Sequence, residues 1–305
     1  MAAEFPATCH KKGITMTSHL DTQKLFEICR IPVDELENHP DLKVKLLIVD
    51  KPEDMHSWAA RDMADEVIRN NAKGAPTRWI LPCGPTKQYP FFINYVNQEK
   101  ISLKNVHVFH MDDLLDWQGR HIALDHPFSF EGWMKKYFYE PIDPELNVPV
   151  SQRWFPSVYD IDGISKAIEA VGGVDTTYGG IGYRGHIAMN EPPHVPWYTV
   201  TLDDLRNSKT RILHLNDDTL VALSQRNVGG CSHMVPPMTI TMGMKDLLSA
   251  KRLRFLSDTG SWKRTVLRML ILGEQTIEYP VTLAQGHPDA LLVCDRNSIL
   301  PPLSE

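Results

Sequence analysis

The sequence predicts an α/β fold of the Rossmann-like class, in which a mostly parallel sheet carries helices on both faces. Short apolar runs of strand length recur along the chain, and segments with helical spacing of apolar residues separate them. The chain has 305 residues, of which 42% are hydrophobic and 23% are charged, which is typical of a globular domain with a sizeable core. No linker-like or repeated segment interrupts the pattern. We therefore predict a single domain over residues 41–305, preceded by an N-terminal extension over residues 1–40.

Six apolar runs justify the strands, because each is short and rich in Val, Ile, Leu or Phe. They cover residues 44–49, 78–81, 106–111, 174–178, 254–256 and 291–294. Apolar residues three or four positions apart predict helices between the strands. These helices cover residues 54–70, 89–96, 128–139, 161–171 and 262–271, and a short helix interrupted by Pro32 is predicted over residues 25–36.

Charge and cysteine usage exclude several classes of partner. The formal net charge is −6 and no long Lys/Arg run occurs, which argues against a nucleic-acid or membrane partner but leaves anionic small molecules open. The five cysteines are scattered and form no Cys-x-x-Cys pair, so neither structural zinc nor a disulfide framework is expected. No apolar run approaches the ~20 residues of a membrane span, and residues 1–16 lack the apolar core of a signal peptide. We predict a cytoplasmic protein.

Residues that follow the predicted strands are candidates for a site, because ligands bind outside the carboxyl ends of strands in open α/β sheets. The first such segment contains Gly84 and Thr86, directly after the strand at residues 78–81. A glycine-containing turn between a strand and a helix can offer backbone N–H groups to an anion. The same turn can equally be a plain connection, and the residues alone leave both alternatives open.

Two adjacent acids, Asp112 and Asp113, follow the third predicted strand. Because side chains alternate along a strand, His110 and Asp112 are expected on one face and Met111 and Asp113 on the other. The two acids either cap the next segment or serve acid–base chemistry. A metal site is less favoured, because His107 faces away from His110 and no third ligand with suitable spacing is nearby.

A glycine-rich loop over residues 179–193 follows the fourth predicted strand. Three of its glycines match the dinucleotide pattern Gly-x-Gly-x-x-Gly, namely Gly180, Gly182 and Gly185. That pattern must open a helix, and the Pro-Pro pair that ends the loop leaves room for no more than about two helical turns. We therefore reject a dinucleotide cofactor. The loop presents His186 and Glu191 at a strand end, where an imidazole and a nearby carboxylate suit acid–base chemistry.

The order of residues in this loop, Gly-Gly-Ile-Gly-x-x-Gly-His-Ile-Ala-x-Asn-Glu-Pro, resembles the signature of glucosamine-6-phosphate deaminases. Other segments agree with that family in the same order, and the likeness covers roughly residues 44–295. These segments are Trp58-Ala59-Ala60-Arg61, Leu81-Pro82-x-Gly84-x-Thr86, Met111-Asp112-Asp113, His126-Pro127-x-Ser129-Phe130, Thr241-Met242-Gly243, Leu247-Leu248-x-Ala250, Gly260-Ser261-x-Lys263 and His287-Pro288.

The resemblance implies a Rossmann-like deaminase/isomerase domain that converts an amino sugar phosphate to a ketose phosphate with loss of ammonia. It implies a small-molecule sugar phosphate as the partner, assembly into a homo-oligomer, and neither a metal nor an organic cofactor. Asp112 would move a proton between C2 and C1, His186 would open the sugar ring, and Glu191 would hold that histidine. The residues implied to contact the substrate or its phosphate are Gly84, Thr86, Asp113, Gly180 and Lys263.

Arg184 stands where the family has an acid directly before Gly-His, and it is therefore a further candidate in the catalytic set. An arginine that points toward His186 would lower the pKa of the imidazole and favour an anionic substrate, because like charge disfavours the protonated form. An arginine turned to solvent would only leave the family's charge relay one member short.

Three other departures from the family concern anion binding. Pro85 replaces a glycine of the phosphate turn, which deletes one N–H donor. Gln225 stands where the family aims an arginine at the substrate phosphate, although Arg226 is adjacent. At the family's allosteric anion site Arg211 is kept but two partner positions differ, so activation by an amino sugar is not expected.

Three functions remain open from the residues. The first is a deaminase of a hexosamine phosphate, which releases ammonia. The second is an isomerase of a sugar phosphate or sugar acid without the amino group, which exchanges hydrogen with solvent but releases no ammonia. The third is a non-catalytic regulator that binds a sugar phosphate. A 6-phosphogluconolactonase shares a similar loop but is less favoured, because the Ile-Ala-x-Asn-Glu-Pro continuation and Met-Asp-Asp point to the deaminases.

Overall fold

The computed structural model describes residues 20–193 and 199–302, and its centre is a seven-stranded parallel sheet. The strands of the chain are β1 (Lys45–Val49), β2 (Thr77–Leu81), β3 (Val106–His110), β4 (Asp112–Leu115), β5 (Arg153–Trp154), β6 (Thr176–Gly180), β7 (Arg211–His214), β8 (Met238–Thr241), β9 (Arg252–Ser257) and β10 (Ala290–Asp295). The large sheet has the order β1-β10-β9-β6-β2-β3-β5, and each neighbouring pair is parallel. The predicted α/β class is confirmed.

Helices connect the strands of the large sheet. They are α1 (Thr22–Arg30), α2 (Val33–Leu36), α3 (Pro52–Ala72), α4 (Gln88–Glu99), α5 (Phe130–Met134, continued by a π-helical turn over Lys135–Tyr139), α6 (Gly163–Ala170), α7 (Leu202–Arg206), α8 (Asp217–Val228), α9 (Met244–Leu247), α10 (Arg264–Leu272) and α11 (Arg296–Ile299). Short 3-10 turns cover Val150–Gln152, Ser232–Met234, Gly260–Lys263 and Pro280–Gly286. None of the described helices is long and apolar enough to cross a membrane.

Side chains of β2 alternate between two hydrophobic clusters on opposite faces of the large sheet. Trp79 and Leu81 pack with residues of α3 and α4, whereas Ile80 packs with residues of α6 and α10. Burial on both faces explains why the central strands read as continuous apolar runs in the sequence. The sheet therefore carries helices on both faces, as predicted.

A second, three-stranded antiparallel sheet, in the order β4-β8-β7, was not predicted. It begins one residue after β3 ends, and that residue is Met111. The Met111 N–H donates to the carbonyl oxygen of Leu81 in the large sheet (3.3 Å), and the Met111 carbonyl accepts from the N–H of Met242 next to β8 (2.7 Å). Met111 is thus the joint between the two sheets.

This joint separates His110 from Asp112. His110 ends β3, bonds to the hydroxyl of Tyr139 through Nε2 (2.8 Å) and stacks on Phe155. Asp112 begins β4 in the other sheet. The prediction that His110 and Asp112 share one face of one strand is therefore wrong, because the strand ends between them.

The described part of the predicted N-terminal extension packs on the domain. Ile28, Val33 and Leu36 are buried in the same hydrophobic cluster as α10. The buried guanidinium of Arg268, in α10, donates to the carbonyl oxygens of Ile28 (2.9 Å) and Ile31 (2.8 Å). Helices α1 and α2 thus share the hydrophobic core beside the large sheet. Residues 1–19 lie outside the described residues.

Candidate active site

A cavity of about 660 Å³ opens at the carboxyl ends of β2, β6 and β9. Six of the nine candidate residues line it, namely Gly84, Thr86, Asp112, Gly180, His186 and Lys263. The other three, Asp113, Glu191 and Arg184, do not line it. Its position is the one expected for a ligand site in an open α/β sheet.

Asp112 faces this cavity from the first position of β4. Antiparallel pairing with Thr241 of β8 fixes its backbone, and only 6% of the residue is exposed. Burial, with a smaller contribution from the neighbouring Asp113, raises the pKa of the Asp112 carboxyl to about 8. A carboxyl group that titrates near neutral pH can both take up and release a proton, which suits general acid–base catalysis.

Asp113 points to the start of α5 instead. Its Oδ1 accepts hydrogen bonds from the N–H groups of Leu114 (2.9 Å) and Phe130 (2.8 Å). Burial raises the pKa of the Asp113 carboxyl to about 6, although these backbone donors oppose the rise. Of the two alternatives for the acid pair, capping describes Asp113, which binds the first N–H group of α5. Asp112 instead faces the cavity.

The glycines of the loop after β6 make room for His186. A Cβ atom on Gly182 would lie 1.8 Å from Nε2 of His186, so the imidazole occupies the space that any side chain at 182 would need. The Gly182 N–H donates to the carbonyl oxygen of His186 (2.7 Å), and Gly185 between them has φ +77°, which favours glycine. Residues 181–193 form turns and no helix.

His186 is held as a neutral imidazole. Its pKa is lowered to about 3, chiefly by burial and then by the positive charge of Lys263, while Asp218 opposes and Arg184 adds to the shift. Nδ1 of His186 is buried and has no hydrogen-bond partner among the described residues. A neutral imidazole can accept a proton on one nitrogen and donate from the other.

The segment that follows His186 is tied to the small sheet. The Met189 N–H donates to the hydroxyl of Thr241 (3.0 Å). The amide of Asn190 donates to the carbonyl oxygen of Met242 (2.8 Å) and accepts from the guanidinium of Arg211 (2.7 Å). Arg211, which the resemblance assigns to an allosteric anion site, here positions the histidine loop.

Glu191 lies outside the cavity wall. Its Oε2 accepts from the N–H of Asn216 just before α8 (2.7 Å), and burial raises the pKa of its carboxyl. No hydrogen bond joins Glu191 to His186 within residues 20–193 and 199–302, so the implied contact between the two side chains is not seen.

Arg184 takes neither of the two directions considered from the sequence. Its guanidinium forms ion pairs with Asp218 of α8 (3.3 Å) and Glu278 (2.8 Å), and 30% of its side chain is exposed. It does not line the cavity. The positive charge is therefore held between two carboxylates beside the site.

Three cationic residues, Lys87, Arg226 and Lys263, line the cavity. Burial, and secondarily the charge of Arg226, lowers the pKa of the Lys263 ammonium to about 8. Arg226 lies over the ring of Trp262, 5.6 Å from its centroid. Arg226, and not the neighbouring Gln225, thus lines the cavity.

Gly180 allows the turn that contains Gly84 and Pro85 to lie close to β6. A Cβ atom on Gly180 would lie 2.6 Å from the carbonyl oxygen of Gly84 and 2.6 Å from Cδ of Pro85. The Gly84–Pro85 peptide bond is cis. Gly180 is therefore required by the close packing of the end of β6 against this turn.

The lining residues that sequence reasoning missed include Lys87, Tyr183, Asp258 and Trp262, each of which carries a charge or an aromatic ring. Each lies in a connection that follows a strand of the large sheet, close in sequence to a predicted site residue. Position in such a connection was the available signal, because side chains there project over the carboxyl end of the sheet.

No family model matches the chain. It is 30% identical over 263 residues to a glucosamine-6-phosphate deaminase of Porphyromonas gingivalis, which covers 83% of this chain and 92% of the relative. The chain belongs to the glucosamine-6-phosphate deaminase family. Other members of the family include glucosamine-6-phosphate deaminase 1 of Bos taurus, which is 30% identical over 84% of this chain and 85% of its own length. The resemblance predicted from the sequence is confirmed.

Solved structures of deaminases and lactonases share this fold. A monomeric glucosamine-6-phosphate deaminase superposes with a TM-score of 0.71 at 24% identity, covering 83% of this chain and 98% of its own. The 6-phosphogluconolactonase from Trypanosoma cruzi reaches a TM-score of 0.59 at 13% identity, over 86% of this chain and 97% of its own. At these identities the two structures support the fold of this family member.

Proposed function

We propose that this member of the deaminase family converts glucosamine 6-phosphate and water to a ketose 6-phosphate and ammonia. One observation carries the proposal: Asp112, at the start of β4 in the small sheet, and His186, in the loop after β6 of the large sheet, line one cavity together with Lys263. An acid–base pair and a cation around a cavity of this size suit a small phosphorylated sugar.

Each group has a defined step in this proposal. Lys263, with Arg226, attracts the phosphate and orients the sugar. Neutral His186 takes the proton of the C1 hydroxyl and returns one to the ring oxygen, which opens the ring. Ionised Asp112 removes the proton from C2 while the carbonyl oxygen O1 takes a proton from the ammonium group of the substrate, which gives an enolamine. Asp112 then delivers its proton to C1, and C2 becomes an iminium group. Water adds to that carbon, and ammonia leaves to give the ketose.

The proposal is tested with purified protein and glucosamine 6-phosphate, by measuring ammonia and ketose phosphate as products. We expect Asp112→Asn to lower kcat by at least about a thousandfold, because an amide cannot accept the C2 proton. Ligand-induced thermal stabilisation should be retained in this variant. The exposed Asp34→Asn serves as a matched control with unchanged rate. Full activity of Asp112→Asn would remove Asp112 from its role.

The two other functions make different predictions for the same assay. An isomerase without deamination would exchange solvent deuterium at the carbon next to the carbonyl and release no ammonia. A sugar acid next to Arg184 was the motive for that alternative, and the ion pairs of Arg184 with Asp218 and Glu278 give it no support. Binding without any turnover would identify a regulator.

Assembly and location stay predictions from the sequence. The homo-oligomer was implied by the family resemblance alone, and size-exclusion chromatography with light scattering would measure it. The cytoplasmic location agrees with the described cysteines Cys29, Cys83, Cys231 and Cys294, which are free thiols.

A further inference from the structure

Asp258 is an acid that lines the cavity among its cationic residues. It is the first residue after β9, it lines the cavity together with Lys87 and Lys263, and 10% of its side chain is exposed. A carboxylate next to a phosphate-binding cation weakens the attraction for the phosphate unless its own charge is offset. Its presence in this wall therefore calls for a physical reason.

Two partners bind Asp258, and both use the same oxygen. Lys87 Nζ lies 2.7 Å from Oδ2, and His56 Nε2 lies 3.1 Å from Oδ2. The hydrogen bond with His56, followed by that with Lys87, holds the pKa of the Asp258 carboxyl well below its usual range, although burial opposes this. The group is thus a carboxylate at neutral pH.

The second oxygen of Asp258 is left for a ligand. Within the described parts of the chain, no hydrogen bond to Oδ1 is formed, and the residue belongs to the cavity wall. A carboxylate oxygen only accepts hydrogen bonds, so a group that meets Oδ1 must be a donor. Asp258 lies close enough to Lys263, which also lines the cavity, for its charge to raise the pKa of that ammonium, so we place the donor at the end of the ligand that Lys263 would bind.

We propose that Asp258 is a specificity-determining residue that accepts, through Oδ1, a hydrogen bond from a sugar hydroxyl near the phosphate. This inference rests on the proposed function, since it assigns a further contact to the same substrate. Lys87 and His56 act as positioning residues, which fix Oδ2 and thereby aim Oδ1 into the cavity. The cavity then selects a polyhydroxylated phosphate ester over a simple phosphate.

Asp258→Asn is the direct test. The amide oxygen of the variant must face the Lys87 ammonium, so the amide NH₂ faces the cavity and the acceptor is lost. We expect KM to rise about ten- to hundredfold, because hydrogen bonds to charged groups have this size, while kcat stays within about threefold. Inorganic phosphate, which lacks the sugar and its hydroxyl groups, should bind the unmodified protein and the Asp258→Asn protein with similar affinity. Asp34→Asn is the surface control, and thermal unfolding monitors the fold.

Monodeoxy analogues of glucosamine 6-phosphate identify the hydroxyl. Calorimetry with Asp112→Asn, which does not turn over, gives the affinity of each analogue with and without the additional Asp258→Asn change. We expect one analogue to bind about ten- to hundredfold more weakly than the parent, and to lose nothing further when Asp258 is replaced. The analogue series in the Asp112→Asn protein keeps Asp258 intact. It therefore stays informative even if the protein that also carries Asp258→Asn folds poorly.

Three outcomes are distinguishable. Coupling between one hydroxyl and Asp258 supports the inference. Equal losses for all analogues, or unchanged KM in Asp258→Asn, would overturn it while the deaminase activity of the unmodified protein stands. If the unmodified protein neither bound nor converted sugar phosphates, the proposed function and this contact would both fail.

Discussion

Asp112 and Lys263 face the same cavity with pKa values displaced toward neutrality by the same cause. Burial disfavours the charged form of each, which raises the pKa of the carboxyl to about 8 and lowers that of the ammonium to about 8. The proposed reaction needs Asp112 ionised and Lys263 protonated. His186, with a pKa near 3, stays neutral over the same range.

We expect a bell-shaped dependence of kcat/KM on pH, with its maximum near pH 8. On the acidic side, protonated Asp112 cannot take the C2 proton, and on the alkaline side, deprotonated Lys263 no longer attracts the phosphate. Lys263→Arg should keep the acidic limb and extend the alkaline limb by at least about one pH unit, because a guanidinium remains charged. Steady-state rates from about pH 5.5 to 10 measure both limbs, and an alkaline limb that is identical in the two proteins would refute the assignment to Lys263.

At the scale of elements, the connection after β6 and the start of β4 carry the reacting groups. The shape of that connection depends on Gly182, whose missing side chain is replaced by the ring of His186. The small sheet then holds the far end of the same segment through Thr241 and Met242. The position of His186 and the hydrogen bonds of its loop thus depend on two neighbouring elements, the connection after β6 and the small sheet.

We expect Gly182→Ala to lower kcat by at least about a hundredfold, because the added Cβ would lie 1.8 Å from Nε2 of His186 and must displace the ring. The free energy of unfolding should fall by about 1–3 kcal/mol, the usual effect of overpacking. Gly286→Ala is a suitable control, since its Cβ would meet only Nε2 of Gln275, at 3.9 Å. Activity assays and urea unfolding give both quantities. A fully active Gly182→Ala protein would show that the ring is not fixed by this glycine.

Elements buried in the large sheet could be predicted from the sequence, whereas the small sheet could not. Runs such as Trp79–Leu81 are apolar on both faces and are too short to be read as helices, so they predict buried strands. The strands β4, β7 and β8 have only four residues each and include Asp112, His214 and Thr241, so they lack an apolar pattern. The ion pair of Lys87 with Asp258 joins positions 171 apart, which no local pattern reveals.

At the scale of the whole molecule, the ends of the described chain meet on α10. Arg268 is fully buried and donates to the carbonyl oxygens of Ile28 and Ile31 near the N-terminus, and to that of Ile299 near the C-terminus (2.7 Å). One side chain thus satisfies three carbonyl groups at the ends of helices. A periodic pattern places position 268 inside a helix but gives no reason to bury a charge there.

We expect Arg268→Met to lower the free energy of unfolding by about 3 kcal/mol or more, because buried carbonyl groups would lose their donors. Arg264→Met is the matched control: Arg264 binds Asn297 near the surface, and its loss should change stability by less than about 1 kcal/mol. Urea denaturation midpoints compare the two variants. Since neither residue lines the cavity, both should retain kcat below their melting temperatures, and equal destabilisation by both would contradict the role given to Arg268.

Met111 joins the two sheets, and this has a consequence for substrate length. Asp112 pairs with β8, and the segment after His186 forms hydrogen bonds with the end of β8. This one strand therefore helps to set the distance between Asp112 and His186. Lys263 and Thr86 instead belong to connections of the large sheet. In the proposed function, the distance between the two sheets would therefore set the number of carbons that fit between the phosphate and the reacting carbon. Evolution toward a shorter or longer sugar is therefore expected to change the junction between the two sheets and to leave Asp112 and His186 untouched.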